Sequence, residues 1–308
     1  MEFKDTVAVV VLTYFSEKTI EETLESIKNQ TYNKKLIELI ISDDCSMDGT
    51  NEVISNWLKK NKYLFYSVNF LRHKENMGIV GNLNNALREV NSEWVKIIAG
   101  DDLLIRDCIE LFVREKNISN GDVYFSLMQT FKIKNNEIVK MHIYPPRYQR
   151  EVLKANYYIQ KEFLKKSSFS AAPTSFIKMS LLKNIGFLDT QYLLMEDYPL
   201  WIKIINYGVK FHFLENVTVL YRVGESVSRS QVNIINTKFL DDIIKHEKVI
   251  LNLYNKNDIN YYRKKTWLKM YPKIVLLFKN KRSILSRGII LLTNVLFKVG
   301  YLQAKLKR

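Results

Sequence analysis

The sequence predicts an α/β protein, a mostly parallel sheet covered by helices on both faces, followed by an all-helical C-terminal region. Three observations predict it. Over the first hundred residues short apolar runs alternate with segments of helical period. The apolar runs lack polar alternation, which implies strands buried on both faces. Beyond about Asn233 every apolar pattern is helical. With 308 residues, 47% of them hydrophobic and 12% aromatic, the chain can build a sizeable core.

Each element has its own signal. "VAVVVLTY" (7–14) is a buried strand, and 17–30 follows as a helix with Ile20, Leu24 and Ile27 on one face. "IELIIS" (37–42) is a second strand, and 48–61 a second helix with Val53, Ile54, Trp57 and Leu58 inward. "YSVNFLRH" is a third strand, "IVGNLNNALREV" a third helix and "WVKIIA" (94–99) a fourth strand. From 103 to 228 the alternation loosens. A helix is expected in "LIRDCIELFVREKN", a hairpin turning at Asn135 and Asn136, a loop at "YPPRYQRE", and two short strands, "VKFHFL" and "VTVLYRV". Three helical segments complete the chain, giving a division into residues 1–228 and 229–308.

The strands end in acids. In open α/β sheets ligands bind outside the carboxyl ends of the strands. Asp43 and Asp44 end the second strand, and Asp101 and Asp102 end the fourth, so two strands bring paired carboxylates to one edge. Such a pair suits Mg²⁺ or Mn²⁺ shared with substrate phosphates. Taken alone, Asp102 also fits a cap on a helix beginning near Leu103, and Ser46 and Asp48 fit caps on the helix after them. A carboxylate at this edge also suits a ribose hydroxyl or an imide N–H.

The segments "VVVLTYFSEKTIEETLESIKNQTY", "ELIISDDCSMDGT", "NMGIVGNLNNAL", "VKIIAGDDLL", "GFLDTQYLLMEDYPLWIKI" and "VTVLYRVGESVS" together resemble the family 2 glycosyltransferases over roughly residues 5–228. Each is short; their order and spacing carry the likeness. The resemblance implies the GT-A fold, a Rossmann-like, mostly parallel sheet flanked by helices, here with an all-helical C-terminal extension. It implies that Thr13, Tyr14 and Asp44, with Asp43 beside them, cradle the nucleotide base and ribose. Asp101 and Asp102 would meet ribose and a divalent metal, Mn²⁺ or Mg²⁺, with ligation chiefly through Asp102. Asp197 would be the catalytic base, supported by Glu196, in an inverting transfer from a UDP- or dTDP-sugar to a saccharide hydroxyl. Three positions depart from the family pattern: Ala99 replaces the first acid of a D-x-D-D, Leu83 stands where an arginine is common, and Gly224 where a histidine is common.

Charge is unevenly placed. Of the net +15, residues 1–228 contribute +1 (29 Lys or Arg against 28 Asp or Glu), and residues 229–308 contribute +14 (18 against 4). Interleaved with aliphatic and aromatic side chains, that charge suits helices lying on an anionic membrane surface, which would bring the site to a lipid-linked acceptor. The other reading packs the helices on the catalytic domain or on a second copy of the chain, a homo-oligomer. The tail lacks a nucleic-acid reading motif, so no nucleic-acid partner is expected. No apolar run is long enough to span a bilayer, and the first strand is too short and too weakly basic for a secretory signal. The expected place is the cytoplasm, peripheral on the inner face of the plasma membrane, in bacterial surface-polysaccharide assembly. The competing function is a catalytically silent nucleotide-diphosphate-binding scaffold. Cys45 and Cys108 form no framework, and His73, His142, His212 and His246 show no metal spacing and are for the most part read as surface or interface residues. Trp201 suits either an acceptor sugar or the core.

Overall fold

A computed structural model describes residues 5–135, 137–224 and 232–306. The first unit is the parallel set built from β1 (Val7–Thr13), α1 (Ile20–Lys28), β2 (Ile37–Asp43), α2 (Thr50–Asn61), β3 (Ser67–Arg72), α3 (Gly78–Arg88) and β4 (Trp94–Ala99). The side chains of β1 alternate between two cores. Val7, Val9 and Val11 pack with Ile20, Leu24 and Ile27 of α1, whereas Ala8 and Val10 pack with Val80, Leu83 and Leu87 of α3. Both faces are covered, which is why the strand reads as a continuous apolar run.

Next come β5 (Leu103–Leu104), α4 (Cys108–Ser119), β6 (Val123–Lys134), β7 (Glu137–Tyr144), α5 (Arg147–Lys154) and α6 (Tyr157–Leu164). Then follow β8 (Phe176–Lys178), α7 (Met179–Asn184), α8 (Asp197–Asn206) and β9 (His212–Arg222). Among the described residues the strands join in the order β3-β2-β1-β4-β8-β6-β9-β5, with β7 paired to β6. β8 runs antiparallel to both β4 and β6, and β9 lies parallel to β6, so the parallel half continues into a mixed one.

Three local expectations are corrected. "YPPRYQRE" is not a loop: Pro146 occupies the N-cap of α5, whose buried Gln149 and Leu153 face the core. The two short strands are one, β9, accommodated against β6 by register shifts near Leu127. Leu103 begins a strand paired with Leu220 rather than a helix, so Asp102 caps nothing; the next helix starts at Cys108. The expected boundary at residue 228, and the E-S-V-S of the last motif, lie outside the described residues.

The C-terminal region is helical: α9 (Thr237–Leu251), α10 (Ile259–Leu277), α11 (Ile284–Phe297) and α12 (Tyr301–Leu306). It holds a small core of Ile235, Leu240, Trp267, Tyr271 and Val275, while Ile250 of α9 joins the core under α3 and α8. No helix among the described residues is long and apolar enough to cross a membrane.

Candidate active site

The carboxyl edge of the sheet is assembled by register. Thr13 pairs with Asp43 across β1 and β2, and Leu12 pairs with Ala99 across β1 and β4. Gly100 N–H donates to the Leu12 carbonyl at 2.8 Å. A Cβ on Gly100 would lie 2.9 Å from Thr13 Cγ2, so only glycine lets the two strand ends approach this closely.

Asp43 is wholly engaged. Its carboxylate accepts from Thr13 Oγ1 (2.8 Å), Ser46 N (2.8 Å), Ser46 Oγ (2.6 Å) and Asn51 Nδ2 (3.1 Å). It shapes the turn that carries Asp44, and Asp48 rather than Asp43 receives the Thr50 N–H at the start of α2. Asp44 accepts from Met77 N at 2.7 Å, and burial raises its pKa against that donor. Tyr14 stands 51% exposed beside this turn, edge-on to Phe15, and presents an open ring at the rim.

Asp101 and Asp102 sit at the other strand end. Asp102 is 1% exposed, and its Oδ1 accepts the Arg222 backbone N–H at 2.8 Å. Burial first, then the charge of Asp101, pushes its pKa up to about 8. Asp101 is half-buried and also raised by burial, with Arg222 acting the other way. The Arg222 side chain donates from Nε to the Asp101 carbonyl at 2.8 Å, reaches Glu22, and lies 4.7 Å over the Phe131 ring. Beneath the pair is Lys96, fully buried, donating to the Ile97 and Pro173 carbonyls at 2.7 and 2.6 Å and depressed by burial to about 8. Two adjacent acids, each held high by burial, are a donor set that a divalent cation would discharge. They fit an ion that completes its shell with diphosphate oxygens and water. Among the described residues no group of three or more His, Cys, Asp or Glu forms a self-sufficient metal site.

The third acid pair opens α8. Asp197 accepts from Tyr198 N at 2.6 Å and from Ser168 Oγ at 3.5 Å. Burial raises both members; Glu196 is raised further by the charge of Asp197, whereas the Tyr198 and Ser168 donors favour ionised Asp197. The environments separate the two, favouring the proton on Glu196 and the charge on Asp197. Two routes tie this pair to the sheet edge. Ser168 touches Asp197, and five residues on, a span of at most ~18 Å, the Pro173 carbonyl receives Lys96 from beneath Asp102. On the Asp44 side of the edge, Met77, held by Asp44, precedes Gly78, whose φ of +73° and missing Cβ admit Leu193, three residues before Glu196.

Sequence reasoning missed several of these residues. Arg222 stands inside a quoted motif without an assigned role. Asn82 donates to the Ser42 carbonyl at 3.1 Å, and Asn84 exchanges two hydrogen bonds with Leu188 at 3.0 Å, which explains two of the three asparagines of "GNLNNAL". Trp201 is a core residue, edge-on to Phe125 at 4.8 Å. His246 is buried where α9 meets Tyr192 and Tyr198.

Residues 8–186 match the model of the family described as glycosyl transferase family 2. An Escherichia coli relative, the UDP-Glc:alpha-D-GlcNAc-diphosphoundecaprenol beta-1,3-glucosyltransferase WfaP, is 28% identical over 70% of this chain and 77% of its own length. The GalNAc(5)-diNAcBac-PP-undecaprenol beta-1,3-glucosyltransferase of Campylobacter jejuni is 26% identical over 70% of this chain and 64% of its own. The mannosyltransferase PcManGT of Pyrobaculum calidifontis, solved with GDP-Man and Mn²⁺, shares the fold with a TM-score of 0.58 at 18% identity, over 96% of this chain and 81% of that one.

Proposed function

The chain belongs to glycosyl transferase family 2, and from that membership we propose that it moves a sugar from a UDP- or dTDP-sugar to a hydroxyl of a lipid-linked saccharide in cell-surface polysaccharide synthesis, with inversion at the anomeric carbon. The observation that carries the reading is the pair of separated acid sites joined through Ser168–Pro173. Asp101 and Asp102 serve the diphosphate end, and Glu196 with Asp197 the acceptor end. The UDP-linked donor and the undecaprenyl-diphosphate acceptors named for the two relatives support the substrate classes.

In this mechanism Tyr14, Asp44 and the turn held by Asp43 hold base and ribose. Asp101 and Asp102 would hold Mn²⁺ or Mg²⁺, which would neutralise charge on the departing nucleoside diphosphate. Ionised Asp197 takes the acceptor hydroxyl proton as that oxygen bonds to the anomeric carbon and the bond to the diphosphate breaks. Glu196, protonated, donates to the acceptor and keeps the second negative charge out of the buried pair.

The C-terminal helices supply the second part of the reading, peripheral docking on the anionic inner face of the plasma membrane. The specific observation is α11. It turns Ile284, Leu285, Leu291, Leu292 and Leu296 outward on an arc of roughly 140°, with Ile284 93% exposed. An apolar helix face beside a strongly basic surface fits a bilayer interface.

The test is nucleotide release from a panel of UDP- and dTDP-sugars. One donor should be turned over by the native chain, and Asp197→Asn should lose roughly 10²–10⁴-fold in kcat while keeping the donor-induced rise in melting temperature. Binding without turnover for every donor would favour the silent scaffold instead.

A further inference from the structure

The segment that delivers Glu196 and Asp197 is held from outside the sheet by one face of α9. The Asp242 carboxylate accepts from three successive backbone N–H groups: Leu193 at 2.9 Å, Leu194 at 2.7 Å and Met195 at 3.1 Å. Asp242 is 1% exposed. Three N–H groups converge on one point only when the intervening backbone is curled around it, so the anion fixes the conformation of the residues leading into α8. One turn further along α9, the His246 ring packs 4.2 Å from Tyr198 and 6.0 Å from Tyr192, the residues flanking the held segment. On its other side the segment meets α3, through Val80 N–H on the Leu193 carbonyl at 3.3 Å.

We propose that Asp242 is the positioning residue of the acceptor site, setting where Asp197 stands relative to the donor held at the sheet edge. The proposal rests on the reading of Asp197 as the base. Asp242 is 45 residues from Asp197 in the chain and touches the segment only through backbone groups, so its effect passes through geometry. A base displaced by about 1 Å loses on the order of 10²-fold in rate. The buried pair responds as well: loosening the segment admits water, which lowers the raised carboxyl pKa values.

The experiment uses the full chain, and whichever of UDP-glucose, UDP-GlcNAc and dTDP-rhamnose the native protein turns over. Asp242→Asn keeps the size and removes the anion. Expected are a kcat lowered about 100-fold, a donor KM and a UDP-induced thermal shift within twofold of native, and an acid limb of kcat against pH displaced to lower pH. A kcat within twofold of native overturns the proposal. So does a parallel loss of kcat and UDP affinity, which would mark a general structural role. Should the asparagine variant fail to fold, Asp242→Glu, which moves the carboxylate by one methylene, is measured in its place with the same outcomes. Failure of the underlying reading looks different: Asp197→Asn would stay active, or the native protein would turn over no donor, and in either case the inference falls with it.

Discussion

Helices α1 and α11 treat their apolar residues in opposite ways. α1 buries Ile20, Leu24 and Ile27 and leaves Glu21 and Glu22 to solvent. α11 buries Ser286 and Thr293 and turns its leucines outward. Around α11 the inversion continues: Lys264 is inside, ion-paired with Glu247, and Lys298 lies 5.3 Å over the Trp267 ring, its pKa lowered by burial. The sheet half departs from apolar-in, polar-out at scattered positions, among them the acids at the sheet edge and at the head of α8 and the buried Lys96 and Glu38. The helical half departs from it along a whole surface. Each departure costs stability in water, and under the proposed function each would be relieved by a different partner: buried acids by a cation and a hydrogen-bonding substrate, exposed leucines by hydrocarbon.

The sharpest way to break this contrast lies at Asp102. Its folded pKa of about 8 stands above the unfolded value of 3.8. The stability it contributes is therefore complete below the unfolded value and lost as pH rises through the folded one. In metal-free buffer Asp102→Asn should melt higher than the native chain at pH 8, with a smaller gain at pH 6, because the amide still accepts from Arg222 N–H without a buried charge. Turnover should fall roughly 10²–10³-fold, the scale of removing one electrostatic stabiliser. Mn²⁺ should raise the melting temperature of the native chain and not of the variant. Melting curves across pH with and without Mn²⁺ decide it; a variant less stable than native at every pH would mean that the acid is structural.

The helical half offers the complementary test. Leu285→Ser with Leu292→Ser leaves net charge unchanged and removes apolar area from the outward arc alone. Each leucine is worth about 1.5–3 kcal/mol when fully buried. Partial immersion of both therefore corresponds to roughly 10–100-fold in affinity for anionic vesicles. Stability in solution should move by no more than about 0.5 kcal/mol, since neither side chain is packed. Co-sedimentation with vesicles, beside a melting curve, checks both halves of the expectation. Unchanged sedimentation with a lowered melting temperature would show instead that the face is covered by protein.

What was legible in the sequence follows the same division. The strands β1, β2 and β4 were readable nearly to the residue because burial on both faces writes an apolar run, and the acids that end β2 and follow β4 stood out as the break in it. β9 read as two strands because Glu215 and Asn216 interrupt the apolar pattern, although the backbone continues through them. α5 read as a loop because of its two prolines, one of which is the N-cap. The helices of the tail were visible as helices, but periodicity gives a face without saying what covers it. Arg222 and Asp242 could not be found at all, because their contacts join residues 120 and 47–49 positions apart, and no local pattern encodes such a pairing.

His246 refines the contrast at the seam between the two halves. It is 2% exposed, both ring nitrogens lack a hydrogen-bond partner, and burial lowers its pKa from 6.5 to about 4, with Glu247 and Lys264 as the nearest charges acting in opposite senses. A folded pKa below the unfolded one means that the unfolded chain takes up the proton first. Stability from this site is thus lost as pH falls from about 6.5 toward 4, by about 2 kcal/mol at pH 5. His246→Phe keeps a ring against Tyr198 and removes the titration. Its melting temperature should decline less than the native chain's between pH 7 and pH 5, with little difference at pH 7.5. Because α9 carries both His246 and Asp242, the native site should loosen in the same acid range, and transfer activity should recover on return to neutral pH. Parallel acid dependence in the two proteins would mean that other groups, not this histidine, govern the seam.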